Sequence, residues 1–459
     1  MSAVGCLLLC GLAASLARGA ATYAQVDVSN LPGPQTNATI TIDPRNPRIL
    51  LAGSNSLLEG AERIYSSTDG GATWTTTLAS PRPKRVEASC ASDPGVAIDR
   101  TGRQYYSFVR STPCNSNGVY RVYVVTRPNA TAAWSKPTQI APLGNARLDD
   151  KPTIAVDTSP VSRYRNRVYA AWSRLSRQSA FSVLSSHSDD GGRTWSNPVT
   201  VHPGAPGQTL TYASIGISRT GAVYVAWTDE SNFDVQIARS TDGGVHFGPQ
   251  HKVTGFVIVT IPHCGIGIVI PAEPESCVQA DPTVSVDASA GRYSGRVYVT
   301  YTGTDFQGDE GAAITSFTST LRPIAGFPLT GEHRLVAPSA THSDQFWTQS
   351  AVDPSTGGLW VCFYDTAGDP TRHKARYSCT VSRDGGRSWA RSVRAATTFS
   401  DETQKGAAYE YGYYQGVAAA DGVAHPIWTD TRKLRALGEE IYTTSLAEAE
   451  VPAPAPARR

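Results

Sequence analysis

Aspartates recur along the chain at the ends of short apolar segments, where side chains of a β-rich protein can gather at one end of its sheets. Four of them could supply the acid and the base of a glycosidase: Asp150, Asp281, Asp365 and Asp430. Glycoside hydrolysis uses two carboxyl groups that flank the scissile bond, and Trp or Tyr offers a platform for the sugar. Each aspartate could instead cap a turn or pair with Arg147, Lys151 or Arg432. A structural Ca²⁺ held by these oxygens is a further alternative, and no other cofactor is indicated.

The segments that carry these aspartates are copies of one repeat. Each copy has a short apolar strand that ends near an Asp, a Gly-containing turn, and a second strand rich in Val, Tyr and Trp. Seven copies are present, at 38–54, 93–109, 151–173, 212–230, 281–302, 350–365 and 414–430. From Asp43 in the first copy to Asp421 in the last, they advance by a mean of 63 residues. A period of this length, with about four strands per repeat, predicts an all-β, seven-bladed β-propeller.

A second motif lies inside the same repeats. It reads STDGGATW (67–74), SDDGGRTW (188–195), STDGGVHF (240–247) and SRDGGRSW (382–389). The Asp can bond the amides of its own turn, the glycines permit a positive φ, and the aromatic residue can wedge between blades. The motif matches the Asp-box S-x-D-x-G-x-T-W, and the chain resembles the sialidase superfamily of Asp-box (BNR-repeat) propellers over nearly its whole length. The resemblance implies that these turns are structural and lie between the third and fourth strands of a blade, away from the active site.

The two ends of the chain are expected to meet in the last blade. After the seventh repeat only one more strand is apparent, at 441–446, so the N-terminal run 22–30 is predicted to supply the fourth strand. Such closure would protect the edges of that sheet. The propeller is therefore predicted to span 22–447, and the Pro/Ala-rich tail 448–459 is predicted to be disordered.

In a four-stranded blade, the residues before the first strand and after the second share one face, so they define a rim around the central channel. Candidates for substrate binding on this rim are Arg110, Arg174, Arg432, Lys151, Asp430, Tyr212 and Gln345. Sialidases grip a substrate carboxylate with arginines, use a Tyr nucleophile assisted by a Glu, and use an Asp as general acid. The resemblance therefore implies carboxylate-gripping roles for the three arginines. It also implies a nucleophilic role for Tyr414 or Tyr413 beside Glu410, with Asp150, Asp281 or Asp365 as acid.

The N-terminus and the cysteines indicate an exported protein. Residues 1–21 combine an apolar core with small residues that suit a signal peptidase, so a cleaved signal peptide is predicted. A buried N-terminal element is the alternative. Six cysteines remain after this leader and fall into near-neighbour pairs, which predicts the disulfides Cys90–Cys114, Cys264–Cys277 and Cys362–Cys379. The chain has no CxxC motif, so a zinc site is disfavoured.

Composition narrows the range of functions. The 41 basic and 39 acidic residues leave a formal charge of +2 without a basic patch, so a nucleic-acid partner is not expected. No apolar stretch after the leader is long enough to span a membrane. We therefore predict a secreted or periplasmic monomer: a sialidase-like exo-glycosidase that acts on extracellular glycans. A non-catalytic propeller that binds a glycan or a protein through the same face is the alternative, and a polysaccharide lyase is a third hypothesis.

Overall fold

The computed structural model describes residues 23–453 except 81–88, 116, 145, 178, 256–258, 262–264, 305–308, 328–333, 338–341 and 408–410. The described chain is built from 32 β-strands and a short 3-10 helix at Glu448–Glu450. The predicted signal peptide, 1–21, lies outside this part of the chain. No helix among the described residues is long and apolar enough to cross a membrane.

The strands form antiparallel units of four, and each of the seven repeats supplies the first two strands of one unit. The first unit contains β2 (Gln35–Asp43), β3 (Asn46–Ser56), β4 (Ala61–Ser67) and β5 (Thr75–Leu78). The second contains β6 (Cys90–Ile98), β7 (Gln104–Thr112), β8 (Val119–Arg127) and β9 (Thr138–Gln139). The third contains β10 (Leu148–Val156), β11 (Val168–Leu175), β12 (Phe181–Ser188) and β13 (Val199–Pro203). A single parallel pair, Leu148 with Tyr120, joins the second and third units.

The remaining units follow the same order. The fourth contains β14 (Leu210–Ile217), β15 (Val223–Asp229), β16 (Asp234–Ser240) and β17 (His251–Gly255). An inserted three-stranded sheet follows, with β18 (Val259–Ile261), β19 (Gly265–Ile270) and β20 (Glu273–Val278). The fifth unit contains β21 (Thr283–Val286), β22 (Val297–Thr304), β23 (Glu310–Phe317) and β24 (Arg334–Leu335). The sixth contains β25 (Gln345–Val352), β26 (Leu359–Asp365), β27 (Arg376–Ser382) and β28 (Val393–Arg394).

The last unit joins both ends of the described chain. It contains β29 (Gly416–Ala420), β30 (Val423–Asp430), β31 (Glu440–Thr444) and, as its outer strand, β1 (Gln25–Asp27). Strand β32 (Leu446–Ala447) also pairs with β30. Residues 448–453, the first part of the predicted disordered tail, are packed on the fold: Glu448 accepts a hydrogen bond from Thr356, and Val451 is buried. Disorder therefore remains a prediction only for 454–459, which lie outside the described residues.

The apolar core lies between the sheets rather than within one centre. Seven clusters of buried apolar side chains each fill the space between two successive units, and one of them packs the last unit against the first. The second strands contribute four tryptophans that are wholly buried: Trp172, Trp227, Trp360 and Trp428. The first strands also contact one another in succession, and β29 contacts β2. This packing fixes the first strands, whose leading ends carry the site described below.

The four turns that carry the S-x-D-x-G motif have the same internal hydrogen bonds. In the first of them, Ser67 donates to Asp69 Oδ1 at 2.8 Å and accepts from the Gly71 amide at 2.9 Å. Thr73 donates both its amide and its hydroxyl to Asp69. These bonds, led by that from the Thr73 hydroxyl, lower the pKa of Asp69 to about 2. Each motif connects the third and fourth strands of its unit, so the carboxylate is used by the turn itself.

Two of the predicted disulfides are confirmed. Cys90 at the start of β6 is bonded to Cys114, which follows β7. Cys362 and Cys379 are directly opposite each other on β26 and β27. The third predicted pair includes Cys264, which lies outside the described residues.

Candidate functional site

A β-bulge interrupts the first strand at the same point in five of the units. The pairing of β2, β6, β10, β14 and β25 with the next strand skips two residues there, and the first skipped residue is in the left-handed region. These residues are Asn37, Asp93, Lys151, Tyr212 and Trp347. In the fifth and seventh repeats, Asp281 and Tyr414 occupy the corresponding place, two residues before β21 and β29. A bulge turns a side chain out of the regular alternation of the strand, so each repeat presents one variable residue at this level.

The first strands of all seven units surround a cavity of about 220 Å³. Its lining includes three aromatic residues, Tyr212, Tyr413 and Tyr414, and two charged residues, Lys151 and Asp281. The rest is mainly small hydroxyl and aliphatic side chains from the leading ends of the same strands. Lys151, Tyr212 and Asp281, from corresponding positions of three neighbouring repeats, therefore meet the tyrosines of the last repeat at this cavity.

Lys151 is surrounded by the three tyrosines. Its ammonium nitrogen lies 4.2 Å from the ring centre of Tyr212, 4.9 Å from that of Tyr413 and 5.6 Å from that of Tyr414. Burial alone would lower the pKa of this ammonium group, but the carboxylates of Asp93, Asp150 and Asp281 outweigh burial and raise it. The cation is thus held in place by ring faces and by negative charge, and it stays protonated at neutral pH.

Asp281 has the most unusual environment of the cavity carboxyls. Its side chain is 9% exposed, and neither of its oxygens has a hydrogen-bond partner among the described residues. Burial raises its pKa well above the usual value, Lys151 offsets part of the effect, and Glu230 adds to it. A carboxyl group in this state keeps its proton to a higher pH than an exposed carboxyl group does, and it is able to donate that proton.

Two further carboxyls, Asp93 and Asp150, lie near Lys151. Burial raises the pKa of Asp93 to about 6, with Lys151 lowering it and Asp150 raising it. Ser92 donates a hydrogen bond to Asp93 at 3.2 Å, and Asp150 accepts one from the Lys151 amide at 3.1 Å. Asp93 is therefore largely ionised at neutral pH, and the Lys151 cation favours its charged form.

No family model and no curated protein sequence matches the chain. Its structure is similar to a Hadza microbial sialidase, with a TM-score of 0.52 and 11% identity over 93% of this chain and 69% of that one. It is similar to the intramolecular trans-sialidase of Ruminococcus gnavus, with a TM-score of 0.50 and 11% identity over 95% and 98% of the two chains. It is also similar to a Trypanosoma rangeli sialidase, with a TM-score of 0.50 and 12% identity over 93% of this chain and 60% of that one.

The chain has a sialidase-like β-propeller fold. This finding confirms the resemblance that the repeats and the S-x-D-x-G turns indicated. Identities of 11–12% establish the fold alone, so the chemistry has to be argued from the side chains of the site.

Within this sialidase-like fold, the predicted substrate-gripping arginines do not line the cavity. Arg174 donates two hydrogen bonds to the buried carboxylate of Asp149, at 2.6 and 2.8 Å. Arg432 likewise donates two hydrogen bonds to the carboxylate of Asp430, and it donates a third to Gln25 on the outer strand. Lys151 is the one basic side chain among the described residues of the cavity wall.

Arg110 lies in a different place, on the side of the first and second units. Its guanidinium stacks near Phe108 and Tyr123, and it lines a lateral groove instead of the cavity. The structure therefore separates Arg110 from the other two arginines of the predicted cluster.

The other predicted residues divide into those at the cavity and those outside it. Tyr212, Asp281, Lys151 and Tyr414 line the cavity, whereas Asp150, which precedes Lys151 in the chain, is not part of its described lining. Asp365 accepts a hydrogen bond from the Ala367 amide and caps a turn, as the alternative interpretation of these aspartates allowed. Gln345 is buried and bonds the backbone of Ala312 and Ala337, between the fifth and sixth units. Glu410 lies outside the described residues.

Residues that the site predictions did not include also support the cavity. Asn37 Oδ1 accepts the amide protons of Tyr413 at 2.7 Å and Tyr414 at 3.4 Å, so the bulge of the first repeat positions the tyrosines of the last. The Trp347 ring stands perpendicular to that of Tyr413, with 5.5 Å between their centres. Both Asn37 and Trp347 are found by aligning the repeats on the residue that precedes the first apolar run. The described residues contain no group of three or more side chains suited to hold a metal ion.

Proposed function

We propose that the protein is a secreted glycoside hydrolase that holds the terminal sugar of an extracellular glycan in the central cavity and cleaves its glycosidic bond with carboxyl groups. The observation that carries this proposal is the carboxyl group of Asp281, which is buried at the cavity without a hydrogen-bond partner among the described residues. A buried polar group in this state has a substantial energetic cost unless a ligand supplies its partner.

The proposed roles follow from the two kinds of carboxyl environment. Asp281, whose protonated form is favoured by burial, donates its proton to the leaving-group oxygen as the bond breaks. The Asp93 carboxylate stabilises the positive charge that develops on the sugar ring and, in the hydrolytic step, accepts a proton from water. Lys151 favours the ionised form of Asp93, since its charge lowers the pKa of that carboxyl group.

The aromatic residues are proposed to bind the sugar. Tyr212, Tyr413 and Tyr414 border the cavity on one side, with Trp347 behind Tyr413. A volume of about 220 Å³ is below the usual range of drug-sized sites, which favours a single terminal sugar and hence exo cleavage. With three or more acidic groups around one lysine, the site favours a neutral sugar over a sialoside.

The proposal includes a closed ring of seven blades in an oxidising compartment. The seven inter-sheet clusters support it, since one of them joins the last unit to the first, as does the contact of β29 with β2. The pairing of β1 with β31 supports closure of the last blade by the N-terminal strand. The two disulfides support export.

The test is hydrolysis of a panel of aryl glycosides, neutral sugars, sialosides and uronides, by the chain that begins at residue 22. We expect turnover of a neutral glycoside, and a loss of about 10²–10⁴ in kcat/KM for Asp281→Asn with a poor leaving group. The loss should shrink with a dinitrophenyl leaving group, which departs without protonation. Asp365→Asn is the matched control because burial also raises the pKa of Asp365, yet this residue caps a turn away from the cavity.

Two other results would decide against the proposal. Turnover confined to sialosides and abolished by Tyr414→Phe would establish a tyrosine nucleophile and sialidase chemistry. No turnover from a correctly folded protein would favour the second candidate function, a non-catalytic propeller that binds a glycan. One observation favours that candidate: Arg174 and Arg432 are each fully engaged by an aspartate, as expected for structural ion pairs.

A further inference from the structure

A lateral groove of about 830 Å³ separates the first and second units on the outside of the fold. Strand β5 forms one wall, and residues 132–137 with the ends of β7 and β8 form the other. Three cations line it, Arg110, Arg127 and Lys136, and no described residue of the lining is acidic. Hydroxyl groups supply much of the remaining polar surface, from Ser66, Thr75, Thr76, Thr77, Ser80 and Ser135.

Arg127 is a buried cation that has no counter-ion among the described residues. It is 6% exposed, and its guanidinium donates to Gln104 Oε1 at 2.8 and 2.5 Å and to Ser66 at 2.6 Å. The guanidinium of Arg127 also lies over the ring of Trp134, with its central carbon 4.5 Å from the ring centre. None of these partners carries negative charge, and burial lowers the pKa of Arg127 to about 10. An uncompensated buried charge is costly, and an anion in the groove would relieve that cost.

Arg110, toward the other end of the groove, also has no ion-pair partner among the described residues. Its guanidinium lies near the rings of Phe108 and Tyr123, 5.8 and 5.5 Å from their centres. By contrast, Arg174 and Arg432 each bind an aspartate with two hydrogen bonds. Arg110 differs from these two arginines in this respect.

The spacing of the two arginines indicates an extended ligand. On the paired strands β7 and β8, Arg127 is opposite Gln104, and Arg110 lies six residues further along β7. At about 3.3 Å per residue, the two positions are on the order of 20 Å apart. A single anion cannot reach both guanidinium groups, whereas an oligomer with several anionic groups can.

We propose that this lateral groove binds an acidic oligosaccharide whose carboxylate or sulfate groups contact Arg110, Arg127 and Lys136. Guanidinium groups bind such anions with paired hydrogen bonds, and the hydroxyl-lined wall of β5 matches the hydroxyls of a sugar chain. This binding site is separate from the central cavity and does not depend on catalysis there.

The test measures binding by calorimetry at low and physiological salt. The probes are an oligogalacturonate tetramer for carboxylates, a heparin hexasaccharide for sulfates, cellotetraose as the neutral sugar and tetraglutamate as the acidic peptide. At least one acidic saccharide should bind, and the double variant Arg110→Gln/Lys136→Gln should weaken its binding at least tenfold. The matched control Arg177→Gln/Arg391→Gln removes the same charge at exposed positions elsewhere and should bind as the wild type does.

Further measurements distinguish ligand binding in the groove from activity in the central cavity. Asp281→Asn should leave this binding unchanged, whatever it does to hydrolysis. Both double variants should retain the wild-type unfolding midpoint, since all four positions are at least partly exposed. Equal weakening by the control pair, equal binding of cellotetraose or tetraglutamate, or no binding of either acidic saccharide would overturn the proposal.

Discussion

Replacing Arg174 by Met tests whether this arginine holds the fold together or grips a substrate. Its two hydrogen bonds end on Asp149, whose side chain is fully buried and also accepts a bond from the Trp172 indole at 3.0 Å. The substitution leaves the carboxylate buried with the indole as its remaining described side-chain donor. We expect a large loss of stability and no change in substrate affinity, because Arg174 is absent from the described cavity wall.

The magnitude follows from the burial of the pair. Removing one partner of a buried ion pair costs about 3–5 kcal/mol, since the other charge remains uncompensated. Burial already raises the pKa of Asp149, and the Arg174 charge acts against it, so the variant has a still higher folded-state pKa. The folded variant then holds a proton that the unfolded chain releases near pH 4. Its stability is therefore greatest below that pH and falls by up to about 1.4 kcal/mol per pH unit as the pH rises toward the folded pKa.

The assay is denaturant unfolding of the wild type and of Arg174→Met at pH 5 and pH 7. The variant should have a lower unfolding free energy than the wild type at both pH values. The difference should be larger at pH 7 than at pH 5, by as much as about 2.7 kcal/mol. Adding Asp149→Asn should recover part of the loss, because the buried charge is then removed. Unchanged stability with a tenfold rise in KM would refute the structural assignment and restore the substrate-binding role.

Three more predictions concern other parts of the molecule. Lys151→Gln should move both limbs of the pH–rate profile to higher pH by about one unit, because the Lys151 charge lowers the pKa of Asp281 and of Asp93. Lys151→Arg keeps the charge and should leave the profile where it is. Removing residues 1–30 takes away β1 and should cause self-association through the uncovered β31, seen by sedimentation, whereas removing 1–21 should leave a monomer. Asp69→Ala should lower the unfolding free energy at pH 7, and the deficit should disappear as the pH falls from about 4 toward 2, where the wild-type carboxylate itself becomes protonated.

The repeats made the architecture readable from sequence. Seven copies of one strand–turn–strand phrase fix the four-strand units, and alternation within each copy fixes which side chains enter the inter-sheet clusters. The pairing of the first and last segments was also accessible, because the last repeat lacks an outer strand and 22–30 has the pattern of one. These features depend on local pattern and on topology, which a single sequence records.

The arginines show what a single sequence does not record. Arg174 and Asp149 are directly opposite on β10 and β11, but the segment between these strands is long, and its length does not determine their register. Arg110 lies near the end of β7, yet it lines the lateral groove instead of the cavity. Position along a strand was therefore predictable, whereas the direction and the partner of the side chain required the three-dimensional structure.

The shared position before the first apolar run, which is bulged in five repeats, explains why Asp281 and Tyr414 converge with Lys151 and Tyr212 while the arginines do not. A non-glycine residue with positive φ costs on the order of 1–3 kcal/mol, and Lys151, Tyr212 and Trp347 are among the bulkier residues to adopt it. The same strain recurs in five repeats, so it belongs to the framework, and the seven clusters between the sheets hold it in place. Of the five bulge residues, Lys151 and Tyr212 line the cavity, and Asp281 and Tyr414 line it from the corresponding positions of the fifth and seventh repeats. These four repeats can keep their core pattern while this one position changes the chemistry of the cavity. Exchanging residues at these four positions should therefore alter activity more than stability, in contrast to Arg174.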